Sequence, residues 1–493
     1  MSGYWDPSSP VPIYREIAQS IPGDVLYHIC QAMEDERDKD VVHRKYHKNA
    51  NVLSMMDVCR WWNAQIHGLT GLFADIAFDT SDNVTISTAE KFLGIIETRS
   101  SDLRVFARFP VWNNDQAQNA FISRLRLQSG KFVHFEAEDM PTPIIANFDL
   151  PAPRLLRLVH ASPLSKGLFA SSFPNLATLD VSVKESFPWP TAALSNLVVL
   201  RLTNFPSTFP FCATSLFDLI GHTPRLEKLQ LIDFLQFSGN PETKPLVCTS
   251  VKSVCLVQCN VRFIFQLLQL PNARNIHIEA YGIGLAGESH PESSSMALGY
   301  FSPLEGCFIP ILERHLFSKV AIHVQDLLAN NVYFKLGLES GAGRKIDFTV
   351  ALRKHWCWED YFRKSMHGIL QRVRLGLRVE LSIFNYLPSQ LVDQPSIYYP
   401  EPPSPSIYSP FLHLPQVTVL RTGYSLARSI MARLVDSEQA ILPNLKCYSF
   451  DVEMSPTSMN PVAPEIATCL QSRFSSGLPF AIQYWEPNGK MHP

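Results

Sequence analysis

One nine-residue stretch decides the fold, and it reads Phe173-Pro174-Asn175-Leu176-Ala177-Thr178-Leu179-Asp180-Val181. Its opening Pro-Asn pair predicts a turn, and its closing Leu-x-Val alternation predicts a short strand with one buried face. The common form is (Leu/Phe/Thr)-Pro-(Asn/Arg)-Leu-x-x-Leu-x-Leu. Clear copies occupy residues 194–202, 223–231, 270–278 and 442–450, and weaker copies occupy 153–159, 249–256 and 414–420.

The spacing of these copies indicates one strand in each repeat. Equivalent apolar positions lie 21 residues apart from Leu155 to Leu176 and from Leu176 to Leu197, and the next three intervals are 29, 25 and 22. Leucine-rich repeats have a period of about 20–29 residues. The segments 216–221 and 261–268 would return the chain as helices or arcs. Because each unit buries its apolar face only against its neighbours, the sequence predicts an α/β solenoid with a curved parallel sheet. The asparagine expected after each strand is inconsistent, so the chain resembles irregular, degenerate leucine-rich repeats.

Between residues 282 and 408 the repeat fades. Strands are expected at 317–324, 345–352 and 372–381, so we expect the solenoid to continue in altered form over 79–485. A Pro-rich stretch at about 395–410 is typical of a surface loop or a polyproline segment, and a docking peptide is the alternative. Residues 1–12 and 486–493 are expected to be a disordered lead and a loose tail.

Composition and charge exclude several classes of protein. The 493 residues carry 43 Lys+Arg against 45 Asp+Glu, a net charge of −2, and 46% are hydrophobic. Such a chain buries a large core, so it is not disordered, and it lacks the basic field of a nucleic-acid binder. Its ten cysteines lie mostly in apolar runs, as expected in a reducing compartment. Neither a signal peptide nor an apolar run of about 18 residues is present, which predicts an intracellular protein, cytoplasmic and/or nuclear, with no membrane partner.

The N-terminal part reads as helical. Pro22 and Asp24 form a helix start, and the residues that follow repeat at helical spacing: Val25, Leu26, Ile29, Cys30 and Met33. A mixed-charge run covers 34–48, a second helical pattern covers 52–66, and a strand is expected from Leu72. We therefore expect a helical domain over 13–78.

This part resembles an F-box, on the residues Ile21-Pro22-Gly23-Asp24-Val25-Leu26, Ile29, Val58-Cys59-Arg60-Trp61-Trp62 and Leu72-Phe73. Ile21 stands where the family has Leu, and Phe73 stands where it has Trp. The charged stretch at 34–48 is longer than the family's linker between its first two helices. The resemblance covers about 60 of the 493 residues.

The resemblance implies a non-catalytic substrate receptor of an SCF-type cullin ubiquitin ligase. The helical domain would bind a Skp-type adaptor, and through it a cullin, while the repeats would bind a target protein. The residues expected to contact the adaptor are Ile21, Pro22, Val25, Leu26, Ile29 and Leu53. Those expected to hold the domain together are Cys59, Trp62 and Phe73. A module of this size buries little apolar surface, so a partner would cover its surplus apolar residues, unless the following domain does.

Three groups of residues are candidates for a cofactor, metal or catalytic site. Gly282–Gly287 matches a dinucleotide fingerprint, but an acidic, turn-forming segment follows where a helix is required. Cys248, Cys255 and Cys259 lack paired zinc spacing, and Cys255 falls on a predicted inward position. The stretch 355–360 combines His and Cys, for which ring packing in a helix is the simpler interpretation. We therefore predict no catalytic residue, metal or cofactor. The alternatives are a repeat scaffold outside any ligase and a nucleotide-dependent enzyme built on 282–287.

Overall fold

The structure is a computed structural model, and it describes a set of ranges separated by gaps. The described residues are 21–37, 55–69, 75–79, 83–98, 103–108, 115–138, 157–163, 175–183, 194–204, 210–238, 245–280, 315–327, 331–353, 363, 366–367, 370–384, 408–436, 441–451, 463–485 and 491–492. They form a mixed α/β fold whose sheet is large and mostly parallel. The chain divides into two compact units. Unit 1 comprises Met1–Glu227 and Phe237–Asn240, and unit 2 comprises Lys228–Gln236 and Pro241–Pro493.

The described helices are α1 (Gly23–Arg37), α2 (Arg60–Gly68), α3 (Asn83–Thr98), α4 (Asp115–Leu127), α5 (Ala213–Gly221), α6 (Val261–Leu267), α7 (Ser409–Leu412), α8 (Tyr424–Asp436) and α9 (Ala463–Ser475). Ser129–Lys131 form a 3-10 turn. The return segments predicted as helices or arcs are α5 and α6.

The described strands fall in two series. The first series is β1 (Asp75–Asp79), β2 (Leu103–Arg108), β3 (Phe132–Glu138), β4 (Arg157–Pro163), β5 (Thr178–Val183), β6 (Val199–Asn204), β7 (Phe211–Cys212), β8 (Lys228–Ile232), β9 (Phe237–Ser238) and β10 (Leu246–Val247). The second series is β11 (Ser253–Val257), β12 (Leu268–Gln269), β13 (Asn275–Ala280), β14 (Phe317–Leu327), β15 (Asn331–Ser340), β16 (Lys345–Arg353), β17 (Leu375–Phe384), β18 (Val417–Thr422), β19 (Cys447–Asp451), β20 (Ala481–Trp485) and β21 (Met491–His492).

In unit 1, the strands β1 to β6 pair in chain order and all in parallel. β7 and β9 form a separate parallel pair. Every residue of β1 is registered with a residue of β2, so the strand belongs to this sheet. A short strand has unpaired backbone groups along both edges, and pairing with the next strand satisfies them.

In unit 2, the strand order is β8-β11-β13-β16-β15-β14-β17-β18-β19-β20-β21. Among these described strands, β15 and β21 run antiparallel to their neighbours. Within the segment expected to be a loose tail, Met491 and His492 are described and pair with Trp485 and Tyr484.

A meander of three strands replaces the repeat where the sequence pattern fades. Strands β14 and β16 were expected, whereas β15 between them was not. Over residues 334–340 its side chains alternate between buried and half-buried, with Phe334, Leu336 and Leu338 among the buried ones. The turn to β16 places Gly343 at φ 76°, and the Ser340 hydroxyl accepts a hydrogen bond from the Arg344 backbone at 3.1 Å. Alternation followed by a Gly-rich turn is a hairpin signal, so the sequence contained the information for β15.

The repeat copies on β8, β11 and β13 pair without any shift in register. Leu229, Val254 and Ile276 lie side by side on β8, β11 and β13, and the row of Leu231, Leu256 and Ile278 lies beside them. All six side chains are buried. The apolar positions of the repeat therefore form continuous rows on the inner face of the sheet, because side chains two residues apart share a face.

Cys255 corrects one expectation. It lies between the buried residues Val254 and Leu256, and its own side chain is half-buried. It therefore points to the opposite face of β11, because successive side chains of a strand alternate. The prediction that Cys255 points inward is therefore wrong, because its neighbours Val254 and Leu256 occupy the inward positions.

The turn that opens each copy has a repeated hydrogen-bond pattern. The Leu197, Leu226, Ala273 and Leu445 amides each donate to the carbonyl three residues before. The asparagine in the third position then reaches the preceding copy. Asn272 donates from Nδ2 to the Thr249 carbonyl at 2.7 Å, and Asn444 donates to the Pro415 carbonyl at 2.8 Å. These asparagines precede the strand, so a search for asparagines after it does not find them.

Unit 2 contains two buried tyrosines whose hydroxyl groups differ in hydrogen bonding. The Tyr448 hydroxyl lies 3.0 Å from the Thr422 hydroxyl and donates to the Ala427 carbonyl at 3.4 Å. The Tyr408 hydroxyl is buried and has no hydrogen-bond partner among the described residues. Burial raises the pKa of both phenols.

We expect Tyr448→Phe to lower the free energy of unfolding by about 1–2 kcal/mol, since it removes a partner of the buried Thr422. We expect Tyr408→Phe to raise it by about 1 kcal/mol, because an unpaired hydroxyl then no longer has to be buried. Urea unfolding followed by circular dichroism measures both changes. Equal losses of stability in the two variants would contradict this account of the Tyr408 hydroxyl.

Candidate functional site

Helix α1 begins at the Pro-Gly-Asp sequence that was expected to start it. The Leu26 amide donates to the Pro22 carbonyl at 3.0 Å, and Asp24 lies in the first turn, where a negative charge suits the helix dipole. Leu26 and Cys30, one turn apart, are fully buried, and the Cys30 thiol lies 3.6 Å from the sulfur of Met55. The inner side of α1 therefore packs inside the N-terminal part of unit 1.

Helix α2 is capped by a cysteine. The Trp62 amide donates to the Cys59 sulfur at 3.4 Å, so the side chain satisfies one of the first amides of the helix. Trp62 is half-buried and Ile66 is fully buried. Gly23 lets the two helices approach, because a Cβ there would lie 3.2 Å from the Gln65 side-chain oxygen.

The residues predicted to contact an adaptor divide into three groups. Pro22 and Val25 are exposed, Val25 to 44%. Ile21 and Ile29 are half-buried. Leu26 is 0% exposed, so its side chain belongs to the interior and reaches no partner in this conformation. Leu53 and Phe73 lie outside the described residues.

Val58 adds an exposed apolar residue that was not among the predicted contacts. It is 56% exposed and lies in the turn before α2. Its position within the Val-Cys-Arg-Trp-Trp element is the signal that could have identified it. Helix α1 also extends through Arg37, so the first residues of the charged run are helical, and residues 38–48 lie outside the described ranges.

Unit 2 has a second surface of interest, the outer face of its sheet, opposite the buried rows. Its central strands are crossed by a row of small residues, Gly337, Ala321 and Ser382, which are registered on β15, β14 and β17. A Cβ at Gly337 would lie 3.6 Å from the Ala321 Cβ and 3.2 Å from the Asp347 carboxylate. We call this row the central trough, because longer side chains stand on both sides of it.

Charged side chains surround the central trough. Lys319 and Lys345 lie 3.5 and 4.0 Å from the Glu339 carboxylate. Arg421 lies 3.5 Å from the Glu380 carboxylate. These groups are partly exposed, so each pair contributes little to stability, and they remain available to a partner that offers charges of either sign.

The cysteines considered for zinc do not form a cluster. The described residues contain no group of three or more His, Cys, Asp or Glu side chains placed to hold a metal ion. The Cys259 thiol is buried, lies 3.2 Å from the carbonyls of Leu231 and Val257, and has its pKa raised to about 12 by burial. The Gly282–Gly287 and 355–360 segments lie outside the described residues.

Comparison with protein-family models, curated proteins and solved structures found no match. Within the described ranges, no helix is both long enough and apolar enough to span a bilayer.

Proposed function

We propose that this protein is the substrate-recognition subunit of an SCF-type cullin ubiquitin ligase, working inside the cell in the cytoplasm and/or nucleus. Its F-box-like helices would bind a Skp-type adaptor, and its repeats would form a leucine-rich-repeat solenoid that binds a target protein. The protein itself would carry out no chemistry. It would raise the effective concentration of a target lysine near the conjugating enzyme that other subunits supply.

The observation that carries the adaptor half is the exposed apolar surface of α1. The interior of the N-terminal helices is already filled by Leu26, Cys30 and Ile66, yet Pro22 and Val25 remain in solvent. Residues at positions 22, 25 and 29 lie close together on a helix face, so the half-buried Ile29 extends the same surface. Exposed apolar residues grouped on one helix face favour a helical or grooved protein partner.

Two features support the solenoid. The copies on β5 and β6, and those on β8, β11 and β13, pair in parallel and without register shift, as expected when each unit stacks on the next. The copy that begins at Val251 also matches the leucine-rich-repeat consensus beyond its strand, because Cys259 stands in the Asn/Cys position. Its thiol reaches the Leu231 carbonyl of the preceding strand, so it links neighbouring units.

The outer face of unit 2 is the proposed target surface. The small residues of the central trough leave room for a chain segment to approach the sheet, and the paired charges around it supply donors and acceptors. Such a surface gains specificity from charge placement more than from buried area. Replacing Gly337 by a larger residue would fill the trough without touching the inner face.

The burial of Leu26 favours the second candidate function, a repeat scaffold outside any ligase. It removes one large apolar side chain from the proposed adaptor surface, which then depends on Pro22, Val25 and Ile29. The two functions differ in one measurable property, retention of the adaptor.

We expect Val25→Asp to reduce adaptor co-purification at least about tenfold, because the variant buries an unpaired carboxylate in the interface. Val247→Asp is the matched control, since Val247 is also an exposed valine, at 54%, and lies in unit 2. The control should retain the adaptor. Both variants should keep the melting temperature of the wild type. Failure of the wild-type protein to retain any Skp-type adaptor would refute the ligase proposal and leave the scaffold.

A further inference from the structure

A cavity of about 540 Å³ lies in unit 2, within the size range of small-molecule sites. Its first wall is formed by four described residues, Arg363, His367, Leu370 and Gln371, all in helical conformation. Its second wall is formed by α7 and the residues after it. The described side chains of the second wall that the argument uses are Pro410, His413 and Leu414.

The first wall presents one face of a helix to the cavity. Arg363, His367, Leu370 and Gln371 lie four, three and one residues apart, which places them on a common face. The Gln371 amide nitrogen lies 2.7 Å from His367 Nε2 and donates to it. This hydrogen bond orients the imidazole and the amide together, so the polar part of this wall has a defined arrangement.

The described residues that line the cavity include basic groups and no carboxylate. Among the described residues that line it, one is Arg, two are His, and none is Asp or Glu. Guanidinium and imidazole groups on two walls form a setting for an anion.

The cavity also has an apolar part. Leu370 on the first wall and Pro410 and Leu414 on the second supply carbon surface beside the basic groups. An inorganic anion would leave this surface in contact with water, whereas a ligand with an apolar body would cover it. Ligand pockets commonly combine apolar walls with a few convergent polar groups.

We propose that this cavity binds a small organic anion, a phosphate or carboxylate head group on an apolar body. The head group would accept hydrogen bonds from Arg363, from Nδ1–H of His367 and from a ring N–H of His413. The body would pack on Leu370, Pro410 and Leu414. This site is independent of the proposed adaptor surface, so its test needs the protein alone.

The test is isothermal titration calorimetry of the full-length protein, which gives a dissociation constant for each of four probes. The probes are phenyl phosphate, benzoate, benzyl alcohol and inorganic phosphate. We expect phenyl phosphate or benzoate to bind at least about tenfold more tightly than benzyl alcohol and inorganic phosphate. Equal binding of benzyl alcohol would overturn the role of the charge, and equal binding of inorganic phosphate would overturn the role of the body. Absence of binding by both organic anions would overturn the site.

Two variants locate the binding. Arg363→Gln and His413→Asn should each weaken the better organic anion about tenfold, because each removes a donor to its head group. Arg378→Gln, at an exposed arginine on β17, is the control and should bind like the wild type. If one of these variants has a lower melting temperature than the wild type, the other one is used alone. This is possible because the two residues lie on different walls of the cavity. Unchanged affinity in both folded variants would place the ligand elsewhere and sink the proposal.

Discussion

Replacing Arg473 by methionine should lower the free energy of unfolding of unit 2 by about 3 kcal/mol. Arg473 extends from α9, is 3% exposed, and donates to the carbonyls of Ile441 and Leu442, both at 2.8 Å. Burial lowers the pKa of its guanidinium, because desolvation disfavours the charge. Methionine fills a similar volume but leaves two buried carbonyls without these donors, and each costs about 1–3 kcal/mol.

The turn that Arg473 holds is strained. Leu442 has φ 48°, in the left-handed region that β-carbon-bearing residues rarely adopt, and its side chain is fully buried. The fork of donors from Arg473 stabilises this turn, from which β19 begins. Arg473→Lys should recover only part of the stability, since one ammonium cannot reproduce the two-pronged geometry. Arg378→Met, at an exposed site, should change stability by less than about 0.5 kcal/mol. Urea unfolding of the three variants measures these changes in the free energy of unfolding. An Arg473→Met variant as stable as the wild type would contradict the role assigned to the two hydrogen bonds of Arg473.

Replacing Leu256 by alanine should cost about 3–4 kcal/mol, whereas replacing its neighbour Cys255 by alanine should cost less than about 1 kcal/mol. Leu256 is fully buried between Leu231 and Ile278, so truncation opens a cavity in the inner row. Cys255 is half-buried on the outer face of the same strand. The two substituted residues are neighbours in sequence, but their side chains lie on opposite faces of the sheet.

Chemical denaturation measures this pair directly, with circular dichroism as the signal. A third variant, Val254→Ala, should behave like Leu256→Ala, though with a smaller loss because valine has fewer atoms to remove. The reverse order, with Cys255→Ala the more damaging change, would mean that the strand presents its other face to the core.

Much of the strand content could be predicted from the sequence because the repeat is a local pattern. A strand with one buried face needs apolar residues at every second position, and the copies at 223–231 and 270–278 meet this need within nine residues. The position of α6 agrees with the return segment predicted at 261–268. The missed strand β15 had an equally clear alternation, so that error came from following the repeat where it had ended.

Other features depended on partners distant in the chain. Arg473 and its acceptors are 31 and 32 residues apart, and nothing near Arg473 in sequence distinguishes it from a surface arginine. The two walls of the cavity are also distant in the chain, because Gln371 and Ser409 are 38 residues apart. Neither wall alone indicates a site. The burial of Leu26, which removes it from the proposed adaptor surface, likewise depends on how α1 packs.

The sequence by itself determined that this protein has a helical N-terminal part and repeated strands with one apolar face, since both follow from periodicities of 3.6 and 2 within short windows. The strand order around β15 and the cavity between Arg363, His367, Leu370, Gln371 and α7 depend instead on the tertiary structure. These features follow from which surfaces meet, and that choice is made by packing over the whole unit rather than by the preferences of any one segment.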